Sequence, residues 1–136
     1  MTQPPLNIDL FGTDAVLHHI GMVVASIERL HPDAVVTVDE TQKVKVAFVD
    51  LHGVIAELIE PLSDESPVYR QLQQGIKLPH LCYSVSSLET TLRHCRSKGC
   101  HAISKPTLAT AFKQRIVWVF HKEYGLFELL ERGQNA

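Results

Sequence analysis

The chain has 136 residues, 45% of them hydrophobic and 21% charged, a globular balance that excludes wholesale disorder. A formal net charge of −2, with no massed basic run, excludes the electrostatic footprint of a nucleic-acid-binding domain. No apolar run approaches the ~20 residues that span a bilayer. The opening MTQPPLNIDLFGTD lacks the basic start and apolar stretch of a secretory signal. Three cysteines without CxxC spacing point to a reducing, cytoplasmic setting rather than a disulfide framework. The length predicts one domain over residues 1–136. Against this plain background stand eight histidines.

In chain order, residues 17–24 form a short, apolar, Val- and Ile-rich run that predicts a buried strand. Ser26 opens a helical segment that Pro32 ends after about a turn and a half. Val44, Val46 and Phe48 then alternate with Lys43, Lys45 and Ala47, and His52-Gly53 turns that strand into a second, Val54–Glu60. Ser66-Pro67 starts a connector helix as cap and first-turn proline, and Gly75 ends it. Leu78–Val85 repeats the first strand. Ser86 is positioned as the cap of the next helix, with Glu89 completing a capping box. Leu88, Leu92 and Cys95 make the helix's apolar stripe, and Gly99 stops it. Arg115–His121, a turn near Tyr124-Gly125 and Leu126–Glu131 close the chain as a strand pair.

This order contains a repeat. Leu17–Glu28 aligns with Leu78–Glu89, so that His80 follows His19 by 61 residues, and Glu57–Glu60 aligns with Glu128–Glu131, 71 residues on. Chain order is preserved in both pairings. The predicted fold is therefore α+β: two tandem βαβββ modules (about 15–61 and 78–132, joined by a connector helix at about 62–77). They form one curved, half-barrel-like mixed sheet of eight strands with helices outside. Strand alternation puts Ile55, Glu57 and Ile59 on one face, and likewise Leu126, Glu128 and Leu130. An acid between two large apolar residues on a central strand costs several kcal/mol to bury unless it is paired or bound to a cation. That situation occurs twice, at equivalent places, and His19 and His80 are equivalent too. If a pseudo-twofold axis relates the modules, His19, Glu57, His80 and Glu128 converge as an N2O2 set. Such a set suits one divalent ion (Mn, Co, Ni, Zn or Fe) and leaves two octahedral positions for substrate oxygens or water.

The segments LHHIGMVV, AELIEPLSDESP, PHLCYSV and FELLE resemble the vicinal oxygen chelate superfamily, the glyoxalase, bleomycin-resistance and dioxygenase group. Methylmalonyl-CoA epimerase-like and glyoxalase-like members are the nearest in pattern. Ser66-Pro67 and Phe120-His121 are similar to the epimerases as well. The family's metal ligands fall on His19, Glu57, His80 and Glu128. The resemblance implies a metal-dependent epimerase, isomerase or lyase. A small acyl substrate, acyl-CoA among the options, or a 2-oxo substrate would lose a proton α to its carbonyl through a metal-stabilised enediolate, with Glu57 or Glu128 as the base. Alternatives are a ligand-sequestering protein and an extradiol-type dioxygenase, the latter disfavoured by a fourth protein ligand. A homodimer is implied by resemblance alone. The chain departs from the epimerases in a first helical segment about ten residues short, in a glycine-free Thr107–Gln114 stretch, and in Pro79 replacing the first of a His pair.

The remaining candidates have plainer readings. His18, adjacent to a ligand, is expected to face the other way, in packing or behind the ligands. His31, His52, His94 and His101 read as surface residues, and His121 as an exposed strand end with some reach to the pocket rim. Glu60 and Glu131 lie opposite the ligands and read as salt-bridge partners. Cys82 shares the face of His80 and reads as small core, as does Cys95 on its helix stripe. Lys45 and Arg115 read as anion-binding or wet-face residues.

Overall fold

The computed structural model describes residues 3–133. The first half contains β1 (Val16–Val23), α1 (Ile27–Leu30), β2 (Thr37–Asp39), β3 (Val44–Leu51) and β4 (Val54–Pro61). A connector carries α2 (Pro67–Gln73), and the second half contains β5 (His80–Val85), α3 (Leu88–Arg96), β6 (Cys100–Ala102), β7 (Thr107–Ala109), β8 (Gln114–His121) and β9 (Gly125–Glu131). Among the described residues no helix is long and apolar enough to cross a membrane.

The strands make one open mixed sheet in the order β2-β3-β4-β1-β5-β9-β8-β6, with β7 also paired to β8. At its centre β1 and β5 run antiparallel, each flanked by a parallel partner from its own half, β4 and β9. The α+β repeat read from the sequence is therefore present, in a sheet of nine strands rather than eight. The ninth arises because the second half's edge strand is broken. Both β6 and β7 pair with β8, and the gap holds Pro106, which has no N–H to give a ladder. There the Trp118 N–H donates instead to the Ser104 hydroxyl at 2.9 Å. The first half has only β2 at this place, and with its shorter helix this accounts for its shorter length.

Local chemistry explains the elements. Ser26 accepts from the Arg29 N–H at 3.2 Å and caps α1. Ser66 caps α2 with Pro67 in the first turn. The α3 cap is Ser87, accepting from the Thr90 N–H at 3.2 Å, not Ser86. Ser86 is taken instead by Asp14, which accepts from its hydroxyl and its N–H. The expected capping box fails with it, since Glu89 reaches Arg115 at 3.0 Å. His52 (φ 54°) and Gly53 (φ 91°) both take the left-handed conformation between the paired residues Leu51 and Val54. That is the two-residue hairpin geometry whose twist matches the strands.

The outer face of the sheet carries the helices. Under α3, Val117, Val119, Phe127 and Leu129 pack with Leu88, Cys95 and Cys100, all buried. Phe11 of the N-terminal stretch joins them, its ring 5.1 Å from that of Phe127. Under α1 a smaller group gathers Ile27, Ala47 and Leu58. The inner face is apolar at its flanks, through Val44, Val46 and Ile59 on one side and Ala109, Ile116 and Leu130 on the other. Between those flanks lies the polar cluster.

Candidate metal centre

Register builds the cluster from two rows of laterally neighbouring residues. In one row Phe48 of β3 pairs with Glu57 of β4, Glu57 with Gly21 of β1, and Gly21 with His80 of β5. In the other, Trp118 of β8 pairs with Glu128 of β9, Glu128 with Cys82 of β5, and Cys82 with His19 of β1. Each row thus reads aromatic, glutamate, small residue, histidine, and ends on the histidine of the opposite half. The antiparallel β1–β5 contact brings the ends together. All four candidate ligands are buried, from 0% exposure at His19 to 7% at Glu57. One donor atom from each lies within 4.8 Å of the others.

His19 Nε2 stands 3.3 Å from Glu57 Oε1 and 3.2 Å from Glu128 Oε1. His80 Nε2 stands 3.3 Å from Glu128 Oε1 and 3.9 Å from Glu57 Oε1. None of these contacts satisfies its atoms: His19 Nε2, His80 Nε2 and Glu128 Oε1 have no hydrogen-bond partner although they are buried. Three of the four donors thus gather closely without hydrogen-bonding one another. Four such atoms held at ~2.1 Å from one cation would be spaced about 3.0 to 3.4 Å apart, close to what is seen. Buried imidazole and carboxylate groups left unpaired carry a large desolvation cost, which a divalent cation would remove.

Electrostatics point the same way. Burial opposes a charge on His19, but the adjacent carboxylates of Glu128 and Glu57 outweigh it and raise its pKa to about 9. Burial pushes the Glu128 carboxyl up, yet His19 and His80 hold it well below the usual carboxylate range. The pocket therefore favours positive charge beside its carboxylates, whether from a protonated His19 or from a bound cation.

Neighbours orient the ligands. Between Leu17 and His19 the β1–β5 register slips, so His18 is the extra residue of a β-bulge. It does not face away from His19 as strict alternation predicts: the two Nδ1 atoms are 2.8 Å apart. If His19 Nε2 ligates a metal, its Nδ1 keeps the proton and donates to His18, the arrangement that holds a ligating imidazole in one tautomer. Burial, followed by charge on His19, lowers the pKa of His18, in keeping with an acceptor role. Phe112 stacks on His19 at 5.5 Å, and Trp118 meets the edge of His80 at 4.8 Å. Gly21 makes room for His80. A Cβ there would lie 2.3 Å from the ring's Cε1.

The remaining candidates divide cleanly. Glu60 accepts from the Ile27 N–H at 2.9 Å and Glu131 from the Leu88 N–H at 3.0 Å, each at the start of its half's helix. Arg115 holds Glu131 at 2.8 Å and Lys45 approaches Glu60 at 3.9 Å. These basic residues therefore pair on the outer face and bind no pocket anion. Cys82 is fully buried, and burial pushes its thiol up. His121 accepts from the Glu123 and Tyr124 N–H groups and closes the last turn. His94 pairs with Asp9 at 3.2 Å, while His31, His52 and His101 are exposed. Phe112, Trp118 and Gly21 were not singled out as site residues from sequence. For Gly21 a signal existed, a glycine two residues after a candidate ligand on an apolar strand.

A profile described as the glyoxalase/bleomycin resistance protein/dioxygenase superfamily matches residues 18–118. The chain belongs to that superfamily. It is 31% identical over 131 residues to the uncharacterised protein YqjC of Bacillus subtilis (strain 168), covering 85% of this chain and 91% of that protein. Among solved structures, hypothetical protein BH1468 from Bacillus halodurans C-125 is similar at a TM-score of 0.75 and 25% identity, over 91% of this chain and 99% of that one. Methylmalonyl-CoA epimerase from Mycobacterium tuberculosis is similar at 0.71 and 26% identity, over 86% and 87%.

Proposed function

We propose that the chain is a divalent-metal-dependent enzyme that removes a proton α to a carbonyl of a small acyl or 2-oxo substrate, as an epimerase, isomerase or lyase. The observation that carries this reading is the set of four buried donors gathered within 4.8 Å of one another with three of their atoms unpaired. His19, Glu57, His80 and Glu128 would hold the ion. When bound, it supplies a Lewis acid that polarises the substrate carbonyl and stabilises the charge developing on its oxygen.

The chain's own residues do the rest. Glu128 lies within 3.3 Å of both imidazoles and serves as the fixed anion of the site. Glu57 is the looser carboxylate. It stands 3.9 Å from His80 and is the more exposed of the pair, both of which line the cavity. We assign it the proton taken at its Oε from the substrate α-carbon; an isomerase returns that proton to the neighbouring carbon, and an epimerase takes its new proton from solvent on the opposite face. His18 fixes the His19 ring, and Phe112 and Trp118 keep water from the donor atoms.

The test is metal analysis together with solvent exchange. Protein reconstituted with Mn, Co, Ni, Zn or Fe should bind one ion per chain and catalyse deuterium uptake from D2O at the α-carbon of a responsive acyl thioester or 2-oxo acid. His80→Ala should lose both properties. Glu57→Gln should retain much of the metal but lose exchange by ~100-fold or more. Absence of stoichiometric metal under replete conditions sinks the proposal. Metal without exchange across a broad panel favours a sequestering protein.

A further inference from the structure

The cavity above the cluster encloses about 380 Å³, at the lower end of the range for small-molecule sites. Its two side walls are equivalent hairpin ends that have diverged. In the first half, β2 and the turn into β3 present Asp39, Thr41 and Gln42; in the second, the matching turn between β7 and β8 presents Ala109, Ala111 and Phe112. One wall is polar and acidic, the other apolar. Asp39 is only 3% exposed, and its carboxylate accepts from the Gln42 N–H and side-chain amide, each at 2.9 Å. From α2, Gln71 adds a buried side-chain oxygen with no partner. Among the described residues no lysine or arginine lines the cavity.

Charge balance turns this asymmetry into selectivity. A divalent cation is neutralised by Glu57 and Glu128, which leaves the Asp39 carboxylate as the uncompensated charge of a mostly apolar chamber. A second anionic group on the substrate, away from the metal, would meet that carboxylate with no cation to answer it. The Gln71 oxygen and the free lone pairs of Asp39 accept hydrogen bonds, so they call for a donor.

We infer that the substrate is a two-ended oxygen chelator whose far end is uncharged: an aryl or branched-alkyl body lies against Phe112 and the second-half wall, and a neutral hydroxyl or amide donates to Asp39 and Gln71. This rests on the metal-centre reading and narrows it. Beyond the oxygens that reach the metal, the part of the substrate inside the cavity carries no negative charge.

Two hydroxamates that differ in one group test the inference by isothermal titration of the metal-loaded protein. 4-(Hydroxymethyl)benzohydroxamate should bind about tenfold more tightly than 4-carboxybenzohydroxamate. Asp39→Asn keeps an acceptor for the Gln42 N–H and should bring the ratio close to one. Gln71→Lys, on a partly exposed helix face, should reverse the preference, which covers the case in which Asp39→Asn fails to fold. Metal-dependent binding with the carboxylate equal or preferred in the unmutated protein overturns the inference and leaves the metal centre standing. A ratio unmoved by either variant overturns the wall assignment. If neither probe distinguishes metal-loaded from chelator-treated protein, the metal reading falls, and this inference with it.

Discussion

The two halves repeat one connectivity but spend their residues differently. In the first, the helix has four residues and the sheet edge is a single short strand; in the second, the helix has nine and the edge is two strands, β6 and β7. The longer half carries the larger apolar group beneath its helix and the tighter outer ion pair, Arg115 to Glu131 at 2.8 Å against Lys45 to Glu60 at 3.9 Å. Yet each half contributes one histidine and one glutamate to the centre. Packing is thus uneven between the halves while the cluster is shared equally. The second half serves as the anchor, and the first supplies the polar wall and the looser carboxylate.

The largest effect should come from the cores. Leu129→Ala, in the well-filled group under α3, should cost ~3–4 kcal/mol, and Leu58→Ala, in the smaller group under α1, only ~2 kcal/mol. Denaturant titration of both would break the comparison if the costs were equal. Next is the difference between Gly21 and Cys82, which occupy matching places in the two rows. Gly21→Ala drives a Cβ into the His80 ring and should weaken metal binding ~10–100-fold, the range for disturbing a ligand's support. Cys82→Ala should change it less than about threefold. Competition with a chelator reads both, with circular dichroism as the fold control.

The smallest effect concerns the outer acids. The folded pKa of Glu131 is depressed, first by its hydrogen bonds from Arg115. Its stabilising contribution is therefore complete above the unfolded glutamate value, about 4.3, and disappears as pH falls through the lower folded value. Glu131→Gln should lower the melting temperature by ~1–3 °C at pH 7. The gap to the unmutated protein should close below pH 4. Glu60→Gln should do less at every pH. A gap that persists at low pH would show that the charge of Glu131 is not what stabilises the second half.

Much of this was legible in one dimension. Alternation put Glu57 and Glu128 on defined faces, the repeat paired His19 with His80, and serine, proline and glycine marked the helix ends. The errors were errors of neighbourhood. Ser86 and Ser87 are equally good caps on paper, and Asp14, 72 residues away, decides by taking Ser86. His18 should face away from His19 on a regular strand, and a bulge in its pairing with β5 turns it toward the ligand instead. Lys45 and Arg115 were open to an anion until the sheet set them beside Glu60 and Glu131. The equivalence of β2 and β7, in which Thr37 and Thr107 hold matching registers on β3 and β8, became readable only once pairing aligned two walls that share few residues.

By itself, then, the sequence determined what depends on the period of a strand or the chemistry of a cap: the α+β repeat, the faces of the acids and the pairing of the histidines. Tertiary structure decided what depends on lateral register. That includes the two rows that gather four candidate ligands, the space Gly21 leaves for His80, the bulge at His18, and the contrast between an acidic wall and an apolar one. The reason is physical. A two-residue period tells a side chain which face it takes, whereas the residue beside it on that face belongs to a strand tens of positions away, and only the folded sheet's hydrogen bonds choose which one.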